Sequence, residues 1–449
     1  MSTTSVVITF GNNTSVTLSV PLGDTSLPVN YLTGVKVKEA VNKAGSMPVG
    51  VVSANTLSIT LNTSDLSLMP DNSSSIYYGY MDNSAIVNVS VTDDSGTVSW
   101  CTFYVNKWQS AVSSTTPYKV IIEASDKMTS IGKNAVPDLL YSGNTNSKDF
   151  VKGILTKLNA VLPEKYRIKF SDNLLDFGKY LNVQQTYIKA QTMFDFFNTI
   201  SQSLLSNIFI SRGDYLISEP ILDVNNNQGE PIYSISDVDN VYSASLNQTS
   251  DVVYSKVDVN HLTYSIGVDD VITSLSNVSI PSGVSTLSDL SFSSPVFKIN
   301  SVMFGSNASS FVSVQSISYN AGRAQIVVNN SSDSSLVCDV VVRGQILKEN
   351  KVLYSAVGGN SAGDTCTVTN SLVPVSQAQT YASDLLDVVA YNSSEITCIG
   401  YFNPRIQLCD VVNVDLSRSV RVSGRYKVTS LEWSLGTTIS CVLKCKKVN

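Results

Sequence analysis

Among side chains that trade protons near neutral pH, this chain has a single histidine, His261. A Ser/His/Asp or Cys/His unit would have to use it. It closes an alternating run, Val252 to His261, with neither GxSxG nor a catalytic-cysteine context around it, and reads as a structural residue. Zinc hydrolysis needs several ligands at set spacing, and HExxH is absent. Cys441 and Cys445 are four residues apart, with no second pair and no histidine nearby. In a strand that spacing puts both on one face, as ordinary sheet residues. With Cys101, Cys338, Cys366, Cys398 and Cys409 they make seven, an odd number, expected as free buried thiols made in a reducing compartment. Neither GxGxxG nor GxxxxGK[ST] occurs, so nucleotide binding has no support. Paired carboxylates of the glycosidase type depend on folding, and no feature picks out a pair. No catalytic, cofactor-binding or metal-binding residue is therefore assigned.

One tripeptide, Arg212-Gly213-Asp214, has the form of an integrin-binding motif. It lies between two apolar runs, Asn207 to Ile210 and Tyr215 to Ile217, and reads as a hairpin turn with Gly213 supplying positive φ. Asn-X-Ser/Thr sequons at Asn13, Asn62, Asn72 and Asn88 are chance matches in an Asn/Ser/Thr-rich chain. Tyrosine is the commonest aromatic and suits a carbohydrate groove, a core or an interface equally.

The elements that would carry these residues are mostly strands. Period-two alternation marks Ser5 to Phe10, Ser15 to Val20, Thr56 to Leu61 and Ala85 to Val91. The turn Thr92 to Gly96 leads into a strand through Trp100, Phe103 and Val105. Character changes near Pro117: Tyr118 to Glu123 is a strand, and Asp126 to Ile131 opens a short helix. Ser147 is placed to cap a helix through Val161, with Phe150, Val151, Ile154, Leu155 and Leu158 on one stripe. A second helix runs from about Thr192 to Leu205 on Met193, Phe197, Ile200 and Leu204. Later strands are Gln325 to Val328, Cys338 to Val342, Ile396 to Tyr401, Val411 to Leu416, Arg425 to Trp433 and Thr438 to Lys444. A helix from about Ser376 to Tyr391 interrupts them, and residues 272–322 are Ser-rich and weakly patterned.

Composition limits the partners. Of 449 residues, 43% are hydrophobic, enough for real cores, whereas 15% are charged, below the usual share of about 25%. The net charge is -6 and the only basic cluster is Lys444, Lys446 and Lys447, so a nucleic-acid grip is not indicated. The first twenty residues lack a basic n-region and a long apolar core, and no uninterrupted apolar run reaches about 18 residues. Neither a secretory signal nor a membrane helix is expected.

An ordered series of segments carries a resemblance. It starts with Trp100 to Trp108 and Tyr118 to Met128, followed by the helix and hairpin of Thr192 to Ile217. Next come Val252 to Val259 and Val341 to Leu347, then a helix over Gln379 to Val389, Phe402-Asn403-Pro404 through Val412, and Tyr426 to Trp433. Together they resemble the bacteriophage tail and baseplate hub proteins, including the tail-knob proteins of short-tailed phages. Cys409 stands where that family usually has Gly, which disfavours a left-handed turn there. The resemblance covers about four-fifths of the chain and implies a mainly β fold with an α+β insert. Two tail-tube-like β-barrel domains are expected: residues 1–116, and residues 233–449 with a Ser-rich β insertion at about 272–322. Residues 117–232 form the small α+β domain between them.

The function this resemblance implies is that of a non-catalytic structural subunit, a distal hub or knob ring around the DNA channel that docks the tail tip or spike. Implied partners are copies of itself, as a trimer or as a hexamer in a short-tail knob. The tube or distal tail protein, the tape-measure protein, and spike or fibres are the others. DNA would pass through without sequence-specific binding, and the protein would reside in the virion after synthesis in the host cytoplasm. The cell-wall hydrolase that some hub chains carry after this core is not expected in these 449 residues. A β-rich receptor-binding or adhesin protein is the alternative, and a tail-associated cell-wall hydrolase a weaker one.

Overall fold

Apolar and polar residues alternate along most of the chain, and the alternation becomes sheet. The computed structural model describes residues 3–20, 28–41, 52–111, 118–141, 143, 145–221, 231–248, 254–358, 363–391, 394–436 and 438–447. The protein is mainly β with an α+β insert. In Thr56–Thr63 every second side chain is buried, from Leu57 to Thr63, as a strand with one face on a core requires. Position Pro117 and the residues Val252 and Val253 lie outside the described residues.

One sheet of fourteen strands dominates. It gathers strands from both ends of the chain, and the joint is the antiparallel pairing of Val422–Leu435 with Asn30–Ala40, where Trp433 faces Val37. Tyr118–Ser125 lies between Thr56–Thr63 and Phe103–Ala111. Among the described residues four of its strands have one hydrogen-bonded neighbour each: Val241–Gln248 and Ser15–Ser19 at the ends of the main path, and Tyr233–Ser236 and Gly96–Ser99 on branches.

Four helices are described. Helix α1, Lys127–Gly132, is capped by Asp126, whose carboxylate accepts from the Met128 amide. Helix α2, Ser147–Val161, buries Phe150, Val151, Ile154, Leu155 and Leu158. Its cap is Asn146 rather than Ser147, whose hydroxyl instead donates to the Tyr180 carbonyl at 2.6 Å. The amide oxygen of Asn146 accepts from the Lys148 amide, which leaves Ser147 free to tie the helix to the neighbouring loop. Helix α3, Met193–Ser203, is capped by Thr192 and buries Met193, Phe197 and Ile200. It leads into the hairpin Ser206–Ile210 and Leu216–Pro220. Helix α4, Ala378–Tyr391, packs on the strands Tyr254–Ile280 and Leu336–Val357.

These last two strands pair along their length as a ribbon that leaves the main body, with register shifts between Ile266 and Asp269 and twice further on. At its far end the ribbon joins Val296–Phe304 and faces a three-stranded sheet of Gly283–Ser291, Arg323–Asn330 and Val312–Tyr319. The Ser-rich residues 272–322 are thus largely strand. Most of their serines are exposed, on strands and in the turns between them, which blurs the pattern without preventing the fold. This lobe has its own core, including Ile280, Ile326, Val328, Val340 and Val342, separate from the main one.

Candidate functional site

The fold draws one set of polar residues from distant parts of the chain onto a shared buried ion pair. They meet where the large sheet, the α+β insert and the segment 403–410 converge. The strand ending at Ala40 brings Glu39, the hairpin turn brings Arg212 and Asp214, and the strand after Val422 brings Trp433. Between Gly96–Ser99 and Phe103–Ala111 the chain leaves the sheet at Trp100 to Thr102. The strand expected through Trp100 is broken here because both residues are used elsewhere: Trp100 turns onto Arg212, and the Thr102 amide donates to Asp214.

Arg212 is almost wholly enclosed. Its Nη2 lies 2.6 Å from Glu39 Oε2 and its Nε 3.0 Å from Oε1, a two-pronged pair in which both side chains are under a tenth exposed. Nη1 donates to the Pro404 carbonyl, and Nη2 to that of Ile406 at 2.9 Å. The guanidinium stands 4.8 Å from the centre of the Trp100 ring and 5.9 Å from that of Trp433. Trp100 also donates its Nε1–H to Glu39 Oε2 at 3.2 Å. Buried charge is tolerable only when it is paired and hydrogen-bonded, and here both conditions hold.

The turn is built differently from expectation. Asp214, not Gly213, takes the positive φ, at 64°. Its carboxylate accepts from the Thr102 amide at 2.8 Å and the Thr102 hydroxyl at 2.6 Å. Aspartate is among the few side chains that tolerate this region, and those two bonds hold it there. With Arg212 enclosed and Asp214 bonded to Thr102, the tripeptide cannot present itself to a receptor.

The same correction applies at Cys409, which adopts φ 66° despite its side chain. Its amide donates to the Val428 carbonyl, the Val428 amide returns a bond to Asp410, and Asp410 Oδ2 accepts from the Gln407 amide. Those bonds, with packing against Val41, Phe209 and Leu408, compel a left-handed turn at a residue that disfavours it. The segment from Asn403 to Asp410 therefore forms a collar around Arg212. Arg405 extends it with a two-pronged bond to Asp93 at 3.0 and 3.1 Å.

Beside the clasp lies Asp126, fully buried. It accepts from the Asn55 and Met128 amides, each at 2.9 Å. Burial, reinforced by the Asp214 charge, pushes its carboxyl up to about 7. Burial likewise raises the Cys101 thiol well above its usual range, with the Asp126 charge adding to it.

The residue types with the most chemistry are dispersed. His261 is 1% exposed, its Nε2–H donating to the Val373 carbonyl at 2.8 Å, and its ring meets Tyr354 edge-on. All seven cysteines are free and buried, and Cys441 and Cys445 share the inner face of Ile439–Lys447. Among the described residues no group of His, Cys, Asp or Glu could hold a metal ion, and no helix is long and apolar enough to cross a membrane. Sequence reasoning missed Glu39, Trp433 and the role of Arg212. In a chain so poor in charge, a glutamate within the alternating run Val35 to Ala40 was the available signal.

No protein-family model matches the sequence, and no curated protein matches it. Solved structures do. A tail protein from Neisseria meningitidis MC58 superposes with a TM-score of 0.55 at 10% identity, over 99% of this chain and 96% of that one. The 43 kDa tail protein of prophage MuSo2 from Shewanella oneidensis gives 0.52 at 9% identity, over 99% and 98%. At such identities the likeness is one of fold: the chain has, over nearly its whole length, the fold of phage tail proteins.

Proposed function

We propose that this protein is a non-catalytic structural subunit of a phage tail, forming the distal hub or knob ring around the DNA channel. The observation that carries this is the open sheet. In a sheet of fourteen strands, Val241–Gln248 and Ser15–Ser19 end the main path and Tyr233–Ser236 and Gly96–Ser99 end its branches, each with one hydrogen-bonded neighbour among the described residues. Such edges are aggregation-prone unless closed, and closure between copies around an axis removes them. Near one edge Tyr242 and Tyr401 meet at a tilt with ring centres 5.5 Å apart while each is more than half exposed, as residues awaiting a neighbour would be.

In this reading residues 1–116 and 233–449 supply two tube-like barrel walls, the first completed by Tyr118–Ser125, and the rest of residues 117–232 bracket them from outside. The enclosed His261 and the thiols held protonated by burial support a non-catalytic role. The net charge of -6 suits a bore through which DNA slides without being held. Tube, tape-measure and spike or fibre proteins would dock above and below.

Light scattering on the size-exclusion peak tests this: a closed trimer or hexamer is expected, and a strict monomer at micromolar concentration would overturn it. Ser243→Lys with Ser245→Lys, on the exposed side of the edge strand Val241–Gln248, is expected to dissociate the ring while circular dichroism stays unchanged.

A further inference from the structure

Two loops far apart in sequence meet at the end of the sheet that carries Ser15–Ser19. One is the hairpin tip Phe10 to Thr14, the other the long connection from Ser64 to Ser84. Phe10 stacks on Tyr77 with ring centres 4.2 Å apart, and Gly11 lies so close to Ser84 and Tyr80 that a side chain there would collide with Ser84. The long loop is a chain of turns, with amide-to-carbonyl bonds stepping from Leu66 and Met69 through Asn72, Ser75 and Tyr77. Side chains lock it from within: Ser75 donates to the Ser67 carbonyl and Asn72 to that of Leu66, while Trp108 donates to that of Leu68. Its inner residues Leu68, Met69 and Met81 are buried.

This scaffold holds large apolar groups outward. Ile76 is 71% exposed, Tyr78 51% and Tyr80 40%. Between Asn72 and Tyr80, and between Phe10 and Thr14, there is no charged side chain. The centre of the joint surface is therefore phenol rings set among asparagine amides and serine hydroxyls, with the exposed Asp71 and Asp82 at its margin, and internal hydrogen bonds tie the loop before anything binds. Tyrosine and asparagine in a fixed loop recognise ligands at low entropic cost. Ring faces suit the CH faces of a pyranose, and neutral amides suit its hydroxyls. Three exposed large side chains offer far less than the roughly 800 Å² per partner of a stable protein interface.

We infer that this composite surface binds a neutral polysaccharide, presenting Tyr78 and Tyr80 to successive sugar rings. The inference needs no ring of subunits. Its test uses the full chain with oligomers of glucose and of N-acetylglucosamine, and a galacturonate oligomer as acidic control, read by saturation-transfer NMR and calorimetric titration. Binding of a neutral oligomer is expected. Tyr78→Ala with Tyr80→Ala is expected to weaken it by about tenfold or more, with the melting temperature unchanged. No neutral oligomer bound, equal binding of the acidic control, or an unaltered affinity in the double variant would overturn the inference. So would a double variant that loses its oligomeric state instead, marking the surface as a protein contact. The oligomeric state measured on the same samples separates this outcome from failure of the ring, since a monomer that binds sugar sinks only the latter.

Discussion

Arg212 shows how a single side chain can hold three regions of this protein together. Glu39, the Pro404 and Ile406 carbonyls, and two tryptophans all converge on it. Its removal leaves Glu39 buried and uncompensated, so Arg212→Ala is expected to lower unfolding stability by about 3–5 kcal/mol. Arg212→Lys should restore little, because a point charge cannot fork to both carboxylate oxygens and two carbonyls. Urea titration checks both. Asp126 predicts a pH dependence. Its folded-state pKa of about 7 lies above the ordinary aspartate value. The stability it contributes is therefore complete below about pH 4 and is lost as pH rises through 7. Asp126→Asn is expected to remove that slope from a series of thermal melts, whatever it does to the absolute midpoint.

Elements here were legible where periodicity was strong, and Met193, Phe197 and Ile200 of α3 are buried as the spacing predicts. Strand ends were legible to within a few residues at Val411–Leu416 and Ile439–Lys447. What misled was local chemistry overruled by partners: Asn146 caps in place of Ser147, and Cys409 and Asp214 occupy positive φ under the pull of distant bonds. Gly344 is packed so closely that a Cβ would strike the Lys298 carbonyl and Ile272, a need that no local pattern shows. Gly344→Ala is expected to cost about 1–3 kcal/mol and to loosen Val296–Phe304 first, seen as faster amide exchange in that strand.

At the scale of the molecule, two cores separated by a two-stranded ribbon should behave as two cooperative units. Calorimetry is expected to resolve two transitions, with Gly344→Ala lowering that of the distal lobe and Arg212→Ala that of the main body. A single transition shifted equally by both variants would contradict this separation.

By itself, the sequence determined a β-rich chain with a helical insert, seven cysteines with no ligand pattern, and a lone histidine in a strand. These are properties of composition and period, which each stretch of chain expresses locally. Tertiary structure alone decided that both ends of the chain share one sheet, that Arg212 is a clasp rather than a ligand, and which strands are left open. Those depend on which distant residues meet. Burial and strand pairing are set by whole-chain packing, and no spacing along the chain encodes them.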